Sequence, residues 1–165
     1  MLARGENAKV ELNFAKHESQ ILSDINALET TVTYEFQNTD TQNQEVIYSI
    51  ALPDADAVMT DLRLGLNLEL VGVIAPRGAA AKVYADSLRR NTDPALLEQT
   101  GPTTYRLRVF PVLSKNDPKT QGRQRVQYRY ITPIHPGMSL TLMPKTDILN
   151  LKLTTSSEVM TRLVE

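Results

Sequence analysis

The stretch LETTVTYEF, residues 28–36, decides the fold. Leu28, Val32, Tyr34 and Phe36 fall on one side of an extended chain, and Glu29, Thr31, Thr33 and Glu35 on the other. A period of two built from β-branched and aromatic residues is the pattern of a strand with one buried face. The alternation returns downstream. The polar run QNTDTQNQ (37–44) predicts a hairpin loop, after which Val46, Tyr48, Ile50 and Leu52 alternate up to Pro53. Leu62, Leu64, Leu66, Leu68 and Leu70 alternate with Arg63, Gly65, Asn67 and Glu69. Leucine is not a favoured strand residue, but the strict alternation outweighs propensity, and Gly65-Leu66-Asn67 is expected to turn between two short strands. Tyr105, Leu107 and Val109 alternate with Arg106 and Arg108. After the turn-rich PVLSKNDPKTQG (111–122), Val126, Tyr128 and Tyr130 alternate with Arg125, Gln127 and Arg129. Met138, Leu140 and Leu142 predict one more strand, and Leu149, Leu151 and Leu153 another.

Between these strands the period changes once. After Pro76, the residues Ala80, Val83, Tyr84, Ser87 and Leu88 recur at helical spacing. Arg89 and Arg90 suit the negative end of a helix dipole, and Asn91 is a stop signal. The face is short and small, so the helix should lie against a sheet. ALLEQ (95–99) follows at once. As a strand it needs two apolar environments, because the adjacent Leu96 and Leu97 point to opposite sides. It is expected to be a strand, with Leu96–Gln99 pairing to Thr104–Val109 across the turn TGP; the competing reading is a short second helix with Asp93 as N-cap and Pro94 in the first turn. The whole pattern predicts a mainly β chain: an antiparallel β-sandwich with one short helix packed against it, in a single domain over residues 1–165.

Composition narrows the chemistry. A net charge of −1 argues against a dedicated nucleic-acid binder. With no cysteine, disulfides, thiolate metal sites and cysteine nucleophiles are excluded. The two histidines, His17 and His135, are far apart and read as surface or loop residues. No run approaches the roughly 18 apolar residues of a membrane-spanning helix. MLARGENAKVEL lacks the apolar middle of a signal peptide, so this chain is expected to be soluble, and a piece of a longer, extracytoplasmic or membrane-associated protein.

Catalytic patterns are weak. There is no G-x-S-x-G elbow, and the seven glycines form no phosphate-cradling loop. DADAVMTD (54–61) lacks the glycine and terminal glutamate of a calcium loop. The arginines are more suggestive. If their strands pair, Arg106, Arg108, Arg125 and Arg129 form an exposed ladder suited to carboxylates, sulfates or phosphates. The competing expectation is that Glu29, Glu35 or Glu69 neutralises them.

The ordered set of ALETTVTYEFQNTDTQNQEVIYSIALP (27–53), AAAKVYADSLRR (79–90), PALLEQ (94–99), YRLRVFPV (105–112) and RVQYRYITPI (125–134) resembles the VIT domain, the vault protein/inter-alpha-trypsin module. LSKNDPKTQG departs from the short Pro-Gly turn usual there. The resemblance implies a sandwich with the helix on one side, built around Ala80, Tyr84, Leu88, Leu96, Leu97 and Glu98. It implies no catalytic residue and no cofactor. The D-x-S-x-S metal motif of the A domain that often follows such modules does not occur here. The implied role is a protein-interaction or scaffold module, whose partner is another protein or a neighbouring domain. The alternative is a sandwich that binds an acidic glycan or similar anion through the arginines.

Overall fold

The computed structural model describes residues 9–75, 95–134, 145–149, 152–153 and 159–164. Among them the strands are β1 (Val10–Leu22), β2 (Ala27–Asn38), β3 (Gln44–Ala51), β4 (Val58–Leu64), β5 (Leu70–Val71) and β6 (Val73–Ala75). After them come β7 (Ala95–Gln99), β8 (Thr104–Val112), β9 (Arg123–Pro133), β10 (Lys145–Leu149), β11 (Lys152–Leu153) and β12 (Val159–Val164). They make two packed sheets. The first has the order β11-β1-β2-β9-β4-β5, with β12 also on β1; the second has the order β10-β3-β8-β7-β6. Pairing is antiparallel except for β1 with β11, β1 with β12, and β6 with β7. The helix expected over 79–90, with Ala80, Tyr84 and Leu88, lies outside the described residues, as do His135 and the strand expected at Met138–Leu142. Among the described residues the helical turn is the 3-10 segment Ser23–Ile25.

Alternation in the sequence becomes two inner faces. Val32, Tyr34 and Phe36 of β2, with Val126, Tyr128 and Tyr130 of β9, meet Val46, Tyr48 and Ile50 of β3 and Leu97, Leu107 and Val109 of the second sheet. Tyr34 and Tyr48 join the sheets edge to face, with ring centroids 5.7 Å apart, a favoured aromatic geometry. Burial drives the phenols of Tyr48 and Tyr128 well above the usual tyrosine range, so both stay neutral.

QNTDTQNQ is not a hairpin loop. β2 and β3 belong to different sheets, and the loop carries the chain across the sandwich. Alternation alone does not reveal this, because a strand buried on one face looks the same whichever sheet it joins. The crossing is held by Asn38, which is fully buried. Its Nδ2 donates to the carbonyls of Gln42 (2.8 Å) and Val112 (3.0 Å), and its Oδ1 accepts from the Asp40 N–H (2.8 Å). The Leu62–Leu70 run does fold back, as β4 and β5, around Gly65 at φ +96°. Next, Gly72 carries the chain from one sheet to the other. A Cβ there would stand 2.4 Å from Cδ2 of the buried Leu62. Leu149 and Leu153 do not share one strand: β10 pairs with β3, and β11 with β1; Leu151 lies outside the described residues.

ALLEQ is a strand. Ala95 pairs with Val109, Leu97 with Leu107 and Gln99 with Tyr105. The turn between β7 and β8 closes through Thr100 N–H to the Thr104 carbonyl at 2.8 Å. Leu97 enters the core. Leu96, in register with Arg108 and Val73, faces the other side and is still only 2% exposed. The parallel pair β6–β7 needs a crossover connection; that connection is 76–94, outside the described residues.

Candidate interaction surfaces

The four arginines do not form one ladder. Arg106 and Arg108 stand on β8 in the second sheet, and Arg125 and Arg129 on β9 in the first. Their strands never pair, so the two pairs face opposite sides of the sandwich.

Carboxylates meet most of them. Arg125 donates its Nε–H to Glu35 at 2.6 Å, and the Glu35 side chain is only 12% exposed. Arg129 lies 3.9 Å from Glu29, and Arg108 lies 3.8 Å from Glu45. Arg106 sits in cross-strand register with Ser49 and Glu98. Glu69, the third carboxylate the sequence offered, instead accepts from the Asn67 N–H at 3.1 Å and supports the β4–β5 turn. The outer face of the first sheet continues in the same manner. Asp61 pairs with Arg63 at 3.1 Å, Lys16 with Glu18 at 2.6 Å, and Gln127 donates to Thr33 at 3.0 Å. Exposed pairs of this kind are worth about 0–1 kcal/mol each. Their collective effect is to leave the face charge-balanced. An open hollow of about 310 Å³ on it is lined by Glu18, Ser19, Gln20, Glu29, Thr31 and Arg129.

The aspartates of 54–61 do not gather. Asp54 accepts from the Asp56 N–H at 2.8 Å in a local turn, while Asp61 holds Arg63. Among the described residues no group of three metal-ligating side chains forms. His17 is not on the surface. It is 2% exposed and packs edge-on against Tyr34, with centroids 6.1 Å apart.

One surface escaped the sequence reading. Leu70, Val71, Val73 and Ile74, where the chain crosses between sheet edges, are 43%, 67%, 39% and 37% exposed. The signal was present: no charged residue occurs between Glu69 and Arg77. Strand edges normally carry a charge or a proline to discourage pairing.

The profile of the vault protein inter-alpha-trypsin (VIT) domain family matches residues 15–121, well over half of the chain. The chain belongs to the VIT domain family. The matched span of this VIT domain runs from within β1 to the loop before β9, and so takes in the arginines of β8 but not those of β9. No curated protein matches the chain. Among solved structures, the collagen-binding subdomain of the Enterococcus faecalis surface protein ACE is similar with TM-score 0.41 and 7% identity, over 86% of this chain and 97% of that one. The collagen-binding domain of a Staphylococcus aureus adhesin gives TM-score 0.37 and 8% identity, over 82% and 95%. An M1 zinc metallopeptidase from Deinococcus radiodurans gives TM-score 0.38 and 9% identity; 80% of this chain is covered, and the chain spans only 23% of the metallopeptidase.

Proposed function

We propose that this VIT domain is a non-enzymatic protein-interaction module, one β-sandwich domain over residues 1–165 of a larger protein, whose partner is another protein or a neighbouring domain of the same chain. Family membership over residues 15–121 is the observation that carries the reading. The surface chemistry supports it. Three of the four outer-face arginines lie against carboxylates, and the space between the sheets is filled largely by tyrosine, leucine and valine. The apolar strip Leu70–Ile74 is the described surface best suited to a protein partner, since contiguous exposed apolar residues mark such contacts.

Anion binding is the second reading, and Arg106, Arg108, Arg125 and Arg129 remain its candidates. Divided between two faces, they offer an anion at most two guanidiniums at a time. A titration with heparin, a sulfated polyanion, separates the two readings. The interaction reading expects no saturable binding. Tight binding that weakens steeply with salt overturns it in favour of anion recognition. Chemical cross-linking within the full parent protein tests the leading reading directly. Cross-links from the Leu70–Ile74 edge to another protein or domain are expected, with loss in the Val71→Asp variant and an unchanged melting midpoint. Cross-links indifferent to that substitution argue against this edge.

A further inference from the structure

Ala15, His17 and Ser19 of β1 are only 1%, 2% and 2% exposed. β2 shields β1 on one side. β1 has a neighbour on its other side as well. That neighbour is β12, whose Val159, Thr161 and Leu163 stand in register with Ala15, His17 and Ser19. At the alternate positions, Arg162 stands in register with Glu18.

β12 is nevertheless a separately docked piece. Its pairing with β1 is parallel, and among the described strands its substantial packing is against β1. It is not a straight continuation of β11. From Leu153 to Val159 the chain advances six positions, while their partners on β1, Leu12 and Ala15, are three apart. A strand held, among the described strands, through one parallel neighbour, and joined by a connection longer than its register needs, is the kind of element that copies of a protein exchange. Where it lifts away, it uncovers a row of unpaired backbone groups on β1, and these accept any strand of the same register.

We propose that the outer edge of β1 is a strand-acceptor site and that its occupant, Val159–Val164, is exchangeable between two copies of this chain, so that the domain self-associates by strand swapping. Gln20 and Val164 are paired across this edge, Gln20 is exposed, and the chain has no cysteine of its own. The full chain carrying Gln20→Cys and Val164→Cys is therefore refolded over a range of concentrations and oxidised. Cross-linking within the chain is expected in dilute protein. While monomer predominates, the ratio of covalent dimer to monomer should rise about tenfold for each tenfold rise in concentration, as mass action requires. Cross-links that stay within the chain at every concentration overturn the proposal, and so does the absence of any cross-link. The unmodified chain provides a second measurement, independent of the cysteines. Refolded at high concentration, it should give dimers whose 159–164 amides are as protected from hydrogen exchange as in the monomer. No dimer, or a dimer with those amides open, contradicts strand exchange.

Discussion

β1 and β2 are neighbours in one sheet, paired along almost their whole length, yet they are built differently. β2 lies between β1 and β9 and buries Val32, Tyr34 and Phe36, the first and last fully. β1 lies between β2 and two short parallel strands, and over its second half buries Ala15, His17 and Ser19. The large side chains of β2 provide most of the apolar burial, at roughly 25 cal/mol per Å². β1 adds Val10 and Leu12 to the core, but beyond its bulge its buried side chains are small or polar and provide close approach and hydrogen bonds, such as Ser19 Oγ to Thr30 Oγ1 at 3.0 Å. The centre of the sheet is thus held by large core side chains, and the second part of the edge strand leans more on the strands beside it.

The largest effect should come from a charge placed in the core. Leu97→Asp sets an unpaired carboxylate among Leu107, Val109 and their neighbours, and the variant is expected to lose cooperative folding in denaturant melts. Leu96→Asp tests the opposite face. Burial to 2% predicts severe destabilisation there too, and a near-parental midpoint would mean that face is open to water.

The next pair sharpens the contrast between the two strands. Tyr34→Ala empties a site that touches His17, Phe36, Tyr48 and Tyr128, and should cost about 3–5 kcal/mol. Ser19→Ala, directly across the sheet on Thr30, should cost only about 1 kcal/mol. Equal losses in urea unfolding would erase the distinction. Asn38→Ala comes between them. It leaves the buried carbonyl of Val112 without its donor, at about 1–3 kcal/mol.

The smallest effect concerns pH. The Lys9 ammonium holds the Asp40 carboxyl below the usual carboxylate range, and the Thr120 N–H and hydroxyl do the same for Asp117. Groups depressed in the fold stabilise it above their unfolded pKa, and that contribution disappears as pH falls through the folded value. The loops 39–43 and 113–122 should therefore loosen below about pH 4. Faster amide exchange there, ahead of the sheets, is the expected result; loops as protected at pH 3 as at pH 7 would contradict it.

Legibility in the sequence follows the same division. β2, β3, β8 and β9 announce themselves because large apolar residues recur at every second position. β1 does not, for two reasons: a bulge between Leu12 and Phe14 shifts the period, and the buried residues beyond it are small or polar. Sheet membership was illegible as well. Periodicity records which side of a strand is buried, not which sheet the strand joins, so the crossing at Asn38 looked like a hairpin and the arginines of β8 and β9 looked like one ladder. Neutralisation of the β9 arginines by Glu29 and Glu35 was readable, since both alternate with the core residues of β2. The apolar edge at Leu70–Ile74 was present as an uncharged run, but β-branched runs of that length are equally common in buried strands.

Native-state hydrogen exchange, read amide by amide on the full chain, tests the contrast between centre and edge most directly. The account predicts that amides of β2, β8 and β9 exchange only through global unfolding, whereas those of Val159–Val164 exchange through an earlier local opening. Exchange of the β12 amides at the same free energy as those of β2 would contradict it and make the edge of β1 part of one indivisible core.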